Sequence, residues 1–194
     1  GRAEGVTIHD VWDTHGMRAT RSNTVEYNGT FVPDELVLFK TENFINDFII
    51  NAANWTIASF ASVYLGVGMG IMEYTSEMLS SKNPKGFAHP QAYHPDSRRR
   101  VGEMAAELHA AYWSNMYAAW YSDTHGPSLE SFHNFMRAKY MIASAVSNAA
   151  RSAQIACGAH GMFKNLHLDR MVRDAATAPI MPPTIDACAD QVGL

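Results

Sequence analysis

Cysteine is nearly missing from this chain: Cys157 and Cys188 are the two among 194 residues. Two thiols form neither a disulfide framework nor a CxxC metal knuckle, so reduced thiols and a cytoplasmic location are expected. Charge is also sparse, at 18% Asp, Glu, Lys and Arg with a formal net charge of −4. That balance lacks the basic field a nucleic-acid binder needs. Arg98, Arg99 and Arg100 make one basic run, but neighbours on a helix point in different directions. No uninterrupted apolar run reaches the roughly 20 residues that span a bilayer, so no membrane partner is expected. The histidines show no HExxH, His-x-x-x-His or facial-triad spacing, which argues against a metal centre. No nucleophile elbow marks a Ser-His-Asp hydrolase. Methionine is missing at the start, and Gly1-Arg2-Ala3 reads as the beginning of a fragment or a processed chain.

What is present divides into two styles. Hydrophobic residues make up 47% of the chain, enough for one domain with a substantial core. The first forty residues read as β: Thr7–Trp12 alternates, and Thr24–Tyr27 leads through Asn28-Gly29, a strong hairpin signal, into Thr30–Val32 before Pro33. Two strands alone are marginal in water, so this segment reads as the end of a sheet begun upstream. From about Thr41 the period becomes helical. Asn46–Ser80 has no proline and carries small residues, Ala58, Ala61, Gly66 and Gly70, that would let a helix or flat ligand approach. A second helix is expected after His94, capped by Asp96 or Ser97, with Val101, Met104, Leu108 and Ala111 on its apolar stripe. A third follows His125-Gly126-Pro127-Ser128 and runs to about Ala156, with Phe132, Phe135, Met136, Ala143, Val146 and Ala150 inward. Shorter helices are expected near 166–176 and after Thr184 or Asp186.

Two signatures stand at opposite ends. Residues 157–175 read Cys-Gly-Ala-His-Gly-Met-Phe-Lys-Asn-Leu-His-Leu-Asp-Arg-Met-Val-Arg-Asp-Ala, a helix exit, a loop and a helix with an Arg-Asp pair. Near the start stands Trp12-Asp13-Thr14-His15-Gly16-Met17-Arg18-Ala19-Thr20-Arg21-Ser22, followed by Phe31-Val32-Pro33. In this order, separated by long amphipathic helices, they resemble the C-terminal half of an acyl-CoA dehydrogenase family flavoprotein.

The resemblance implies a mainly α fold, a four-helix bundle preceded by a remnant of a β domain. Residues 1–40 would be the end of the middle β domain and residues 41–194 the C-terminal helical bundle. It also implies FAD between the β domain and the bundle, reaching a neighbouring subunit, and self-association as a tetramer or dimer. By that likeness, Gly158 and Ala159 occupy the family's Gly-Gly turn, whose backbone N–H groups meet FAD of another subunit. Phe87 matches the phenylalanine of an Arg-x-x-Phe-Gly stretch that touches the cofactor, with Lys85 near the missing arginine. Thr184 stands where the family's threonine contacts FAD. Arg173-Asp174 would position the active-site loop through ion pairs. Without the likeness, Gly158 reads as a helix end and Phe87 as core.

The chemistry departs from the likeness. The family's glutamate, which removes the α-proton of an acyl-CoA while flavin takes the β-hydride, corresponds here to Pro182. Its alternative home on the first long helix falls near Ala58-Ser59, and no Asp or Glu occurs between Asp47 and Glu73. Catalytic residues are therefore unassigned, with Glu42 and Asp47 the nearest carboxylates upstream. Three readings follow. One is α,β-dehydrogenation of an acyl-CoA with a non-standard or externally supplied base. Another is a reduced-flavin-dependent monooxygenase of the same fold, for which His160 and His167 are histidine candidates. The last is a catalytically silent subunit pairing with a homologous partner.

Overall fold

The computed structural model describes residues 4–193, without the side chains of residues 46 and 47. Gly1-Arg2-Ala3, and Asp47 as a candidate carboxylate, lie outside the described residues. Helix dominates at 68%, as expected, with a small sheet ahead of it.

Strand β1 (Val6–His9) pairs antiparallel with β2 (Thr24–Tyr27), Val6 opposite Tyr27 and His9 opposite Thr24. The expected hairpin from β2 through Asn28-Gly29 into Thr30–Val32 does not form. Asn28 N–H instead donates to the Gly5 carbonyl at 2.8 Å, extending the ladder to β1. Pro33 supplies no donor and leads into a tight turn at Asp34–Leu36, so the segment after Gly29 stays unpaired. Ile8, Val25 and Tyr27 remain exposed on this sheet.

Helix α1 (Ile50–Ser81) follows a wider π-turn at Ile45–Ile49 and meets α2 (Pro95–His125) and α3 (Leu129–Cys157). By length and apolar composition alone α1 could cross a membrane, contrary to the sequence expectation; one face of it packs on α2, α3 and the short helix α4 (His167–Ala175). Helix α5 (Ile185–Gly193) closes the chain against α3. The start of α2 differs from expectation. Pro95 occupies the first helical turn and His94 is the extended N-cap residue, because proline suits a position whose N–H would be unpaired anyway. Helix α3 starts with a capping box between Ser128 and Ser131.

Ala61, Tyr64, Ile71, Met104, Leu108, Ile142 and Val146 form the central core. Fully burying each large aliphatic side chain contributes about 1.5–3 kcal/mol. The close helix approach falls at Gly68, not at Gly66 or Gly70. A Cβ at Gly68 would meet Leu108 Cδ2 at 2.6 Å and Val146 Cγ2 at 2.9 Å, whereas one at Gly66 meets nothing. Two residues along a helix rotate a side by about 200°, so Gly66 faces away from the seam that Gly68 closes.

Candidate functional site

The candidate residues fall into two groups at different ends of the bundle. At the C-terminal end of α3, the chain leaves through Gly158 into a tight turn at Gly158–Met162. Gly158, Ala159 and His160 are exposed there. The segment between α1 and α2 is tied to this end: the Gln91 side chain donates to the Ala156 carbonyl at 3.0 Å. Phe87 lies on that segment, 55% exposed rather than in the core, with its ring 4.4 Å from that of His94. The structure thus brings Phe87, Gly158 and Ala159 to one exposed end.

Thr184 lies elsewhere, at the start of α5. Its Oγ1 accepts the Ala187 N–H at 3.2 Å, which makes Thr184, not Asp186, the cap of that helix. Among the described residues no acceptor takes its hydroxyl proton. Helix α5 packs on the N-terminal half of α3, where Cys188 joins Phe135, Met136 and Ala138. From Lys139 beside it to Gly158, α3 rises roughly 28 Å at about 1.5 Å per residue. Within one chain Thr184 therefore lies far along α3 from Gly158 and Ala159.

The loop between α4 and α5 is anchored from below. Lys139 is 1% exposed, and its Nζ donates to the Ala178 carbonyl at 2.7 Å while lying 5.4 Å from the centre of the Tyr64 ring. Burial pushes this ammonium below its ordinary pKa of 10.5, against a smaller upward pull from the Cys188 thiol. Burial likewise pushes Cys188 above its ordinary 9.0, partly offset by Lys139. The Tyr64 hydroxyl is 3.1 Å from Thr177 Oγ1. Because Thr177 O–H donates to the Asp174 carbonyl at 2.6 Å, the Tyr64 O–H is the donor to Thr177. Lys139 was not singled out by sequence, although its place three and four residues after Met136 and Phe135, inside an apolar stripe, was the available signal.

Arg173 and Asp174 do not pair with each other. Arg173 Nε and Nη2 both donate to Asp169 Oδ2, at 3.1 and 3.0 Å, and its Nη1 donates to the His15 carbonyl at 3.1 Å. Asp174 Oδ1 accepts the Met17 N–H at 2.7 Å. The two sequence signatures therefore meet in space, Trp12–Ser22 against α4, and the Arg-Asp pair is what joins them.

Neither expected base position carries an acid. The loop Ala176–Thr184 has no ionisable side chain, and the Ser59 hydroxyl near the alternative position turns back to the Trp55 carbonyl at 2.6 Å. An open cleft of about 450 Å³ at the start of α1 is lined by Trp55, Ala58, Ser122, Asp123 and Phe135. Of the two histidine candidates, His160 sits 5.9 Å from Phe163, and His167 meets Tyr74 edge-on at 6.3 Å.

A flavin fits these surroundings in donor set and exposure. At one end of the bundle the exposed Phe87 ring suits a flavin's flat ring, and at the other the Thr184 hydroxyl suits a polar edge. Comparison with known proteins bears on this reading. Residues 47–184 match the acyl-CoA dehydrogenase C-terminal domain family. YdbM of Bacillus subtilis (strain 168), which carries an acyl-CoA dehydrogenase name, is 26% identical over 185 residues, 94% of this chain and 47% of its own length. Dibenzothiophene monooxygenase of Mycolicibacterium goodii is 32% identical over 118 residues, 56% of this chain and 28% of that protein. Among solved structures, a glutaryl-coenzyme A dehydrogenase–glutaryl-CoA complex superposes with a TM-score of 0.88 at 22% identity, over 100% of this chain and 47% of that one. The complex of TdsC from Paenibacillus sp. A11-2 with FMN and indole superposes with a TM-score of 0.85 at 23% identity, over 98% of this chain and 52% of that one. The chain spans about half the length of these relatives, or less. With the family match across the helical region and the same fold throughout, the chain belongs to the acyl-CoA dehydrogenase family of flavoenzymes.

Proposed function

We propose that the protein to which this chain belongs is a reduced-flavin-dependent monooxygenase acting on an aromatic substrate, with FAD as its flavin. The observation that carries this reading is the acid-free loop Ala176–Thr184, with Pro182 at the family's carboxylate position. Dehydrogenation of an acyl-CoA needs a positioned base to take the α-proton, and losing one costs about 10²–10⁴-fold in rate. Oxygen insertion does not begin with that abstraction, so it tolerates proline there. The likeness to a dibenzothiophene monooxygenase supports the same choice.

A bound reduced flavin would supply the two electrons that activate dioxygen, and this chain would supply the frame. Thr184, free to donate its hydroxyl proton, would hold the flavin on its own protomer. Phe87 and the Gly158-Ala159 turn would meet the flavin of a neighbouring copy, which accounts for their separation from Thr184. Residues 1–40 would complete an upstream β domain.

A second reading keeps acyl-CoA dehydrogenation, with the base supplied upstream or by a partner. Favouring it are Thr184 in its family position and the likeness to YdbM over 94% of this chain. The test uses the full-length protein. Supplied with reduced flavin and oxygen, it should oxygenate indole or dibenzothiophene, and acyl-CoAs should fail to bleach its flavin without oxygen. Bleaching by a saturated acyl-CoA would establish the second reading, and neither activity would indicate a silent subunit.

A further inference from the structure

The molecule buries one ammonium with no carboxylate against it. Lys139 lies in the middle of the packed bundle at 1% exposure, and no ion pair involves it among the described residues. Burying a charge costs free energy unless something specific compensates it, and an apolar residue here would cost less. What compensates it is the loop. Nζ donates to the Ala178 carbonyl at 2.7 Å, a charge-assisted bond, and the ammonium lies 5.4 Å from the centre of the Tyr64 ring. The same tyrosine holds the preceding residue through its hydroxyl, 3.1 Å from Thr177 Oγ1. Consecutive loop residues, 177 and 178, are thus gripped by one cation–aromatic unit reaching out of α1 and α3.

The grip extends in both directions along the chain. Upstream, Thr177 donates to the Asp174 carbonyl, and the Asp174 side chain accepts the Met17 N–H at 2.7 Å. Downstream, Ile180 and Met181 N–H bond to the Thr177 carbonyl, Ile185 N–H to that of Pro179, and Cys188 N–H to that of Thr184. The four downstream donors, Ile180, Met181, Ile185 and Cys188, lie in or just after the loop that presents Pro182 and Thr184. Helix packing alone would be served by Leu or Met at position 139. A lysine is useful there because a carbonyl in a loop without helix or sheet partners needs a donor.

We propose that Lys139 is a positioning residue: from inside the bundle it fixes the Thr177–Thr184 loop, and with it the flavin-facing edge of this chain. The fixing itself is independent of what the enzyme catalyses; its catalytic consequence rests on the flavin reading above. Lys139→Met keeps the length and the apolar stem while removing the donor. Tyr64→Phe keeps the ring beneath the ammonium and releases only Thr177.

Amide hydrogen exchange tests the fixing on the 194-residue chain itself. In Lys139→Met, exchange at Ile180, Met181, Ile185 and Cys188 should quicken at least 10-fold, while amides in the middle of α2 and the second half of α3 stay unchanged. Tyr64→Phe should quicken Ile180 and Met181 alone; if Lys139→Met fails to fold, Lys139→Leu, which also removes the donor, is read for the same pattern. Unchanged exchange in 177–188, or an equal rise throughout the bundle, would overturn the proposal and make Lys139 a core residue only. In the full-length flavoprotein, Lys139→Met should lower kcat at least 10-fold for whichever substrate reacts, with KM within about 2-fold. A looser loop with unaltered kcat would overturn the catalytic consequence alone. Wild type without any flavin chemistry, but with the exchange pattern described, would refute the flavin reading and leave the fixing in place.

Discussion

Gly16 lies so tightly against Arg173 that a Cβ at position 16 would fall on the Arg173 carbonyl. This contact joins the connection between β1 and β2 to helix α4, and the Met17–Asp174 bond beside it fixes the register. Two segments 157 residues apart in sequence at that bond are held by backbone proximity that only glycine allows.

Gly16→Ala should therefore destabilise the chain, by about 1–3 kcal/mol on the scale of overpacked interiors. Urea denaturation monitored by circular dichroism would measure it. An unchanged midpoint would mean that Trp12–Ser22 is not held against α4 in solution.

Alkaline stability should expose the buried lysine. Burial lowers the Lys139 pKa from 10.5, so the unfolded chain binds more protons between the folded value and 10.5. Its contribution to stability therefore rises with pH across that window. The thiols of Cys157 and Cys188 are raised above 9.0 by burial, so their contribution falls once pH passes 9.0. The two trends oppose each other in wild type. Lys139→Met deletes the rising one, and its denaturation midpoint should fall more steeply than that of wild type as pH rises toward 10.5. Parallel slopes in the two proteins would contradict this.

Helix α2 carries an exposed stripe of Trp113, Met116, Tyr117 and Trp120, with the two tryptophans 66% and 56% exposed. The i, i+3, i+4, i+7 spacing makes it one continuous apolar face, of the kind that protein contacts cover. The chain should self-associate in sedimentation velocity, and Trp113→Glu with Trp120→Glu should weaken association at least 10-fold. A wild-type chain that stays monomeric at high concentration would count against it.

Thr184→Ala should fray α5, since it removes the hydroxyl that accepts the Ala187 N–H, at a cost of about 1 kcal/mol. Cys188, fully buried in the first turns of α5, then becomes the reporter: its reaction with a thiol reagent should quicken several-fold. Thr184→Ser, which keeps the cap, should react like wild type.

Local sequence determined the helices, the turns between them and the two family signatures. Proline-free stretches with apolar residues at helical spacing have few alternatives, and His125-Gly126-Pro127-Ser128 ends one helix and caps the next by its own chemistry. The empty base position was equally legible, because Pro182 has no ionisable group in any fold. Pairing was not. Asn28-Gly29 carried a local hairpin signal, but the Asn28 N–H is taken by the Gly5 carbonyl just before β1, a partner more than twenty residues away that no local signal reveals. Nor did the stripe of small residues reveal which glycine closes the helix seam; Gly68 does, because helix rotation puts its open side toward Leu108 and Val146. Lys139 shows the difference most plainly. In sequence it is one charge in an apolar stripe, and its bond to Ala178, 39 residues away, arises when the loop after α4 is folded over the bundle. Short-range chemistry fixed which elements form; desolvation and contact between distant segments decided what each buried group does.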